Sequence, residues 1–131
     1  MTFEELGVRE DLLRAISEMG FESPMPVQEK VIPHLLHKDG DVVALAQTGT
    51  GKTAAFGLPV IQRIDIPNCK PQALILSPTR ELCLQIGGDL ADYSKYVAGL
   101  KVLPVYGGSS IEVRFALSVR AFILLLQLQA D

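Results

Sequence analysis

Hydrophobic residues recur at helical spacing in two stretches of the first forty residues, with a turn between them. The first stretch carries Leu6, Leu12, Leu13, Ile16 and Met19, and the second carries Val27, Val31, Ile32, Leu35 and Leu36. Each pattern predicts a helix. Gly20 is suited to end the first helix, and FESPMP (21–26) predicts a rigid turn because Pro24 and Pro26 fix the backbone. We expect Pro33 to kink the second helix, and 38–41 to close it.

Three short apolar runs have the character of buried strands. They are DVVALA (41–46), QALILS (72–77) and KVLPVY (101–106). Helices are predicted between them, from about Lys52 to Arg63, with Pro59 as an irregularity, and from near Thr79 towards Val97. Strands that alternate with helices indicate an α/β fold with a parallel sheet and right-handed crossovers.

Composition narrows the class of protein. A chain of 131 residues with 48% hydrophobic and 21% charged residues makes at most one globular domain. A formal net charge of −3 argues for local rather than broad contact with nucleic acid. Cys69 and Cys83 lack metal-binding or redox spacing, so Cys83 is read as a core thiol. With no signal peptide and no apolar run near 18 residues, we expect a soluble, cytoplasmic protein that does not bind membranes; a nuclear location stays open for a eukaryotic source.

AQTGTGKT (46–53) has the spacing of a phosphate-binding loop between a strand and a helix. Gly49 and Gly51 let successive backbone N–H groups point into one concavity. Lys52 supplies a positive charge to the phosphates, and the Thr53 hydroxyl can join a Mg²⁺ shell. The whole loop is predicted to bind nucleotide: Ala46, Gln47, Thr48, Gly49, Thr50, Gly51, Lys52 and Thr53. A chance glycine-rich turn is the alternative, and the flanking strand and helix argue against it.

Four motifs in order resemble those of DEAD-box RNA helicases. Phe3 stands seventeen residues before GFESPMPVQ, which is followed by AQTGTGKT, SPTREL and Gly107-Gly108. Ala46, where the general loop pattern has glycine, is the residue that this family carries. The resemblance runs from Phe3 to about Glu112. It implies an incomplete RecA-like P-loop domain, three-layer α/β/α with a mostly parallel sheet, divided into a helical Q-motif region (1–40), a core (41–112) and a non-family tail (113–131).

The resemblance also implies how the base of ATP or ADP is bound. A carboxamide offers a donor beside an acceptor, so it can pair with adenine N6 and N7 and reject guanine. The family assigns that role to Gln28, with Phe21 stacked on the base and Phe3 packed behind Phe21. Lys52 and Thr53 would be the catalytic loop residues, and Thr53 would reach Mg²⁺ through the nucleotide. The alternative for Phe3 and Phe21 is that they are only core aromatics, and the alternative for Gln28 is a solvated helix residue.

Five residues are implied to contact RNA. Thr79 is predicted to be a helix N-cap, with Arg80 in the first turn. Pro78, Thr79, Arg80, Gly107 and Gly108 would touch the sugar-phosphate backbone of a single strand or short duplex without reading bases. A plain helix start is the alternative. His34 and His37 are read as solvated helix residues, because no other ligand cluster supports a metal.

The tail does not follow the family after GGSSIE (107–112). The tail can be back-translated into codons and read in another frame, which takes the third base of each codon with the first two bases of the next. With permitted codon choices this frame encodes HIIVATPGR, the strand that the family has there. One lost base near codons 112 to 113 would explain this tail and an early stop; the alternatives are a divergent natural C-terminus and a remnant of a transmembrane segment. The apolar run 121–126 is nevertheless expected to act as a surrogate strand, with helix as the competing outcome.

The function implied by the resemblance is ATP-dependent RNA unwinding or remodelling with ATP and Mg²⁺. The 131 residues end before the D-E-A-D carboxylates and the second RecA-like domain, on which phosphoryl transfer depends in this family. We therefore expect a chain that does not hydrolyse ATP. An adenine-nucleotide-binding or RNA-touching module without turnover is the second reading, and another P-loop NTPase, such as a kinase or DNA-directed motor, is the third.

Overall fold

A computed structural model describes residues 1–38, 40–46, 51–68, 70–105 and 121–127. The helices are α1 (Glu10–Glu18), α2 (Pro26–His37), α3 (Lys52–Gln62) and α4 (Arg80–Tyr93). The strands are β1 (Pro71–Ser77), β2 (Leu100–Val105) and β3 (Ala121–Gln127). Backbone contacts divide the chain into two compact units, which are 1–63 with 92–96, and 64–91 with 97–131.

The first unit opens with a tight turn and then α1. Leu6, which the periodicity placed in the helix, lies in the turn instead, where its N–H donates to the carbonyl of Phe3 at 3.2 Å. The helix ends as predicted: Gly20 follows the C-cap Met19 with φ +91°, a left-handed conformation that costs glycine little.

Helices α2 and α3 pack together in the core of this unit. Pro26 occupies the first turn of α2, where its missing N–H is not needed, and Pro33 lies inside the helix. Helix α3 spans the predicted range and accommodates Pro59. The fully buried large apolar side chains of the unit are Leu6, Leu12, Ile16, Ile32, Leu58 and Ile61. Removing that surface from water is the main stabilising contribution here.

The segment 41–46 corrects the sequence analysis. DVVALA was predicted to be a buried strand, but it has no strand pairing among the described residues, and Val43 and Leu45 are 91% and 95% exposed. An apolar, β-branched run becomes a strand only where a neighbouring backbone accepts its hydrogen bonds. No described strand supplies that neighbour.

The second unit holds a three-stranded parallel sheet in the order β1-β3-β2. Ile75 of β1 lies opposite Leu125 of β3, and Leu103 of β2 lies opposite Leu124. The prediction that the tail forms a strand is confirmed, and its extent reaches Gln127. Strand β3 is the central strand, with β1 on one side and β2 on the other. The competing prediction of a helix in this segment is therefore wrong.

Helix α4 covers one face of this sheet. Gly87 approaches Pro104 and Leu125, and the thiol of Cys83 donates to the carbonyl of Leu125 at 3.8 Å. Cys83 is fully buried, as predicted for a core thiol, while Cys69 lies outside the described residues. The helix ends at Tyr93 rather than near Val97, because the chain turns at 94–96.

Strand β1 is less buried than its uniform apolar sequence predicted. Leu74 and Leu76 are 57% and 53% exposed, whereas Ser77 is buried. Alternate side chains of a strand point to opposite faces, and the face that carries these two leucines is open. A run such as QALILS does not reveal whether both faces of its strand are covered.

Candidate functional site

The Gln28 side chain is built into the start of α2. Its Oε1 accepts the N–H of Met25, the N-cap residue, at 2.8 Å. Only 2% of Gln28 is exposed, so the reading of this residue as a solvated helix glutamine is wrong. Burying a carboxamide is unfavourable unless its polar atoms form hydrogen bonds, and those of Gln28 do.

The same carboxamide reaches the start of α3. Gln28 Nε2 donates to the carbonyl of Gly51 at 3.2 Å. Gly51 is the N-cap of α3 and has φ +79°. A Cβ at this position would collide with Gln28 Nε2 and approach Cδ to 3.1 Å. Glycine is therefore required at this position both by the backbone conformation and by the close approach of Gln28.

A cavity of about 360 Å³ opens beside these two residues. Its lining consists of Gly20, Phe21, Glu22, Ser23, Met25, Gln28 and Gly51. The predictions singled out Phe21, Gln28 and Gly51 and missed the other four. Pro24 and Pro26, which fix the turn that carries Ser23 and Met25, are the sequence signal that could have found those two residues.

Aromatic rings support the cavity wall. The Phe3 ring is buried and lies 6.0 Å from that of Phe21 at an interplanar angle of 45°. Tyr93 meets Phe21 edge-on from another side, at a centroid distance of 6.0 Å. Such tilted and edge-to-face pairs are favourable ring geometries. Phe3 thus packs against Phe21 as expected, and Phe21 is the member of the pair that reaches the cavity.

The cavity suits a planar group with a donor beside an acceptor. After its two backbone bonds, Gln28 retains one N–H and one acceptor lone pair. The missing Cβ of Gly51 lets the Gln28 carboxamide approach the start of α3, and Phe21 contributes a ring to the same cavity. These residues fit the base of a purine nucleotide.

The phosphate-loop residues are described only in part. Lys52 and Thr53 form the first turn of α3, where helix N–H groups favour an anion. Ala46 lines a separate cavity of about 610 Å³ beside α2 rather than the Gln28 cavity. The remaining predicted loop residues, Gln47, Thr48, Gly49 and Thr50, lie outside the described residues.

Three of the five predicted RNA-contacting residues lie together between β1 and α4. Thr79 caps α4: its Oγ1 accepts the N–H of Leu82 at 3.1 Å, and its carbonyl accepts the N–H of Cys83 at 3.0 Å. Pro78, Thr79 and Arg80 are all exposed. Gly107 and Gly108 lie outside the described residues, so their place beside this exposed cap stays a prediction.

An electrostatic cluster joins α1 to the turn at 94–96. Tyr96 Oη donates to both carboxylate oxygens of Glu18, at 2.5 and 2.6 Å, and Lys95 Nζ lies 3.2 Å from Glu18 Oε2. The guanidinium of Arg14 stacks 4.1 Å above the Tyr96 ring. The Tyr96 hydrogen bond lowers the pKa of Glu18, and the bond to Glu18 raises the pKa of Lys95. This cluster fastens the first unit but does not line the cavity.

The described ranges carry neither a metal-binding cluster nor a membrane-spanning helix. No group of three or more His, Cys, Asp and Glu side chains there could hold a metal ion. Within the same ranges, every helix is too short or too polar to span a bilayer.

The chain is similar to a known protein family. The model of the DEAD/DEAH box helicase family matches residues 25–126. That range enters the segment 113–131, so the boundary near residue 112 stays a prediction.

Curated relatives match most of the chain. The ATP-dependent RNA helicase DeaD of Mycobacterium tuberculosis is 51% identical over 115 residues, which are 88% of this chain and 20% of the relative. DeaD of Escherichia coli is 45% identical over 86% of the chain and 18% of the relative. The DEAD-box ATP-dependent RNA helicase CshA of Geobacillus kaustophilus is 47% identical over 85% of the chain and 23% of the relative. The chain thus spans about a fifth of the length of these relatives.

Solved structures agree with the sequence matches. A DEAD box protein from Methanococcus jannaschii superposes with a TM-score of 0.84 at 38% identity, covering 97% of this chain and 34% of its own. Saccharomyces cerevisiae Dbp5 bound to RNA and ADP BeF3 superposes with a TM-score of 0.79 at 30% identity, covering 96% and 32%.

Proposed function

The chain belongs to the DEAD/DEAH box helicase family, and from this premise we propose that it binds an adenine nucleotide at the Gln28 cavity. Its fold is an incomplete RecA-like P-loop domain. The proposed ligand is ATP or ADP, with Phe21 against the base and Gln28 on its hydrogen-bonding edge.

The buried carboxamide of Gln28 is the observation that carries this proposal. Its two backbone bonds fix the orientation of the side chain, so its remaining donor and acceptor point in set directions. Adenine presents an N6 donor and an N7 acceptor, whereas guanine presents acceptors at both O6 and N7. A site built to hydrogen-bond one pattern rejects the other because buried groups would lose their partners.

The phosphates of the nucleotide are proposed to bind at the start of α3. Lys52 would neutralise phosphate charge, and the Thr53 hydroxyl would join the shell of a Mg²⁺ ion that accompanies the nucleotide. Their position in the first helical turn supports this assignment. The ion would supply charge neutralisation at the phosphate oxygens.

Competition binding with ADP and GDP tests the nucleotide proposal. We expect ADP to bind more tightly, Gln28→Ala to erase the preference, and Lys52→Ala to weaken both nucleotides. Gln72→Ala, in the second unit, should leave both affinities unchanged. Equal affinity of the unaltered protein for ADP and GDP would sink the assignment and favour another class of P-loop NTPase.

We further propose that the exposed start of α4 contacts the RNA backbone. Thr79 and Arg80 offer a hydroxyl and a cation at a helix N-terminus, which suits a phosphate. Such contacts carry no sequence readout, so Arg80→Ala should weaken binding to different RNA sequences by a similar factor. A sequence-dependent effect would contradict the assignment.

The 131 residues alone are proposed to bind nucleotide without hydrolysing it. They contain no D-E-A-D sequence, and phosphoryl transfer in this family needs carboxylates that hold Mg²⁺ and position water. Phosphate release should therefore match that of Lys52→Ala, with or without RNA. RNA-stimulated release that disappears in Lys52→Ala would refute this proposal and favour the enzyme reading.

A further inference from the structure

Two glutamine side chains hold α3, one at each end. Gln28 bonds the carbonyl of Gly51 at the N-terminus of the helix. Gln62, its last residue, bonds the N-terminal turn twice: Nε2 donates to the carbonyl of Gly7 at 2.8 Å, and Oε1 accepts the N–H of Arg9 at 2.9 Å. Both groups of the Gln62 carboxamide are therefore satisfied by backbone more than fifty residues earlier in the chain.

The turn that Gln62 fastens is the one that carries Phe3. The carbonyl of Phe3 accepts the N–H groups of Leu6 and Val8, both at 3.2 Å. Gly7 has φ +103°, and a Cβ there would lie 2.8 Å from His37 Nε2, so the turn is closely packed. Only glycine adopts this conformation without strain. The position of the Phe3 ring is thereby linked to the end of α3.

Phe3 in turn supports the cavity wall. Its buried ring lies 6.0 Å from Phe21, which lines the cavity beside Gln28. Helix α3 therefore bears on the cavity by two routes, through Gly51 and Gln28 at its start and through Gln62, the turn and Phe3 at its end.

We propose that Gln62 is a positioning residue for the base-stacking side of the nucleotide site. The inference rests on the proposed adenine-nucleotide function. Without the carboxamide, the carbonyl of Gly7 and the N–H of Arg9 lose their partners, and the turn can shift with Phe3. Phe21 then loses part of its support. Gln28 keeps its bonds to Met25 and Gly51, and Lys52 keeps its place in the first turn of α3, so base discrimination and phosphate binding remain.

The test separates base stacking from the other contributions. Affinities for ADP, GDP and inorganic tripolyphosphate are measured for the unaltered protein and Gln62→Ala. Stacking of a base on an aromatic ring contributes to affinity whatever the base is, so losing part of it should weaken both ADP and GDP binding by about threefold to tenfold. The ratio of ADP to GDP affinity and the affinity for tripolyphosphate should not change.

The chain offers a matched control in its second unit. Gln72 makes the same kind of clamp: Oε1 accepts the N–H of Asp65, and Nε2 donates to its carbonyl, both at 2.8 Å. Gln72→Ala loses comparable hydrogen bonds and should leave ADP affinity unchanged. Gln62→Glu keeps an acceptor for Arg9 but places a carboxylate oxygen against the carbonyl of Gly7, so it should weaken ADP binding at least as much as Gln62→Ala.

A double-mutant cycle tests the route through Phe3. If Gln62 acts by seating Phe3, then Phe3→Leu weakens ADP binding and Gln62→Ala adds little to it. Additive losses overturn the route, as does an unchanged ADP affinity in Gln62→Ala. Equal weakening of tripolyphosphate and ADP overturns it too, because that pattern marks a general loss of structure. An unaltered protein that binds tripolyphosphate but no ADP refutes the proposed function itself, and the inference with it.

Discussion

At the scale of the residue, Gly51 and Gln28 are fitted to each other. The left-handed backbone of Gly51 turns its carbonyl towards Gln28 Nε2, and the space that a Cβ would need is taken by that nitrogen. Since Gln28 also holds the N–H of Met25, a side chain at residue 51 would disturb the start of α2 and of α3 together.

Gly51→Ala should therefore be more damaging than backbone strain alone. Placing alanine in the left-handed region costs about 1–2 kcal/mol, and the collision with Gln28 adds to that. Gly40→Ala is the matched control, because Gly40 has φ +129° and nothing within 4 Å of its Cβ position. We expect thermal unfolding to show a lower Tm for both variants, and loss of ADP selectivity for Gly51→Ala alone. Equal behaviour of the two variants would contradict the fit described here.

Acid should weaken the cluster around Glu18. Its pKa is lowered in the folded protein, chiefly by the Tyr96 hydrogen bond, so the cluster stabilises the fold above the ordinary glutamate pKa. That contribution disappears as the pH falls through the lowered folded-state pKa. The Tm difference between the unaltered protein and Tyr96→Phe should thus be present near pH 7 and shrink progressively as the pH falls below the ordinary glutamate pKa. A difference that stays constant over this range would rule out the hydrogen bond to the carboxylate as its source.

Residue roles were only partly readable from the sequence. The resemblance pointed to Gln28 and Phe21, but no pattern in the letters indicated that Gln28 is buried by two backbone bonds. Gln62 carried no signal at all, because the groups that it binds lie far away in the chain and belong to the backbone. Contacts of this kind depend on the fold rather than on local spacing.

At the scale of the element, periodicity located segments better than it described their surroundings. Helices α3 and α4 begin where glycine and threonine signals placed them. The segments DVVALA and QALILS look alike as sequences, yet one is unpaired and the other is a strand. What separates them is the presence of a neighbouring backbone, which a local sequence does not encode.

Strand β3 should be an energetic centre of the second unit. Leu125 is fully buried beneath α4, so Leu125→Ala should lower the free energy of unfolding by about 2–5 kcal/mol through lost burial and a cavity. Leu74→Ala, at a half-exposed position in β1, makes the same chemical change and should cost less than about 1 kcal/mol. Urea denaturation measures both. Similar costs at the two positions would mean that β3 is not packed as described.

At the scale of the whole molecule, apolar surface remains open in both units. Val43 and Leu45 are exposed in the first, and Leu74 and Leu76 in the second. The two outer strands of the sheet differ in how they protect themselves. Strand β2 carries Lys101 and Pro104 in its interior, residues that discourage pairing with another chain, whereas β1 has no charged residue and its proline, Pro71, stands at its first position.

Self-association through β1 is the expected result. Sedimentation velocity should show larger species as protein concentration rises, and the Leu74→Lys/Leu76→Lys variant should remain monomeric at the same concentrations. Val43→Lys/Leu45→Lys places the same charges on the other exposed segment and distinguishes the two surfaces. Monomers at every concentration, or association that the β1 variant does not reduce, would show that this edge is harmless.

The central position of β3 also determines when the sheet can form during translation. Residue 73 of β1 and residue 102 of β2 both pair with residue 123, and β1 and β2 do not pair with each other. During synthesis both flanking strands therefore emerge before the strand that joins them. Until β3 is made, their backbone amides lack strand partners and their leucines are exposed. Non-local pairing of this kind is slow and exposes sticky surface. A pause in translation between residues 105 and 121 would lengthen that interval. A chaperone that binds nascent chains would then find the largest exposed apolar surface on β1 and β2.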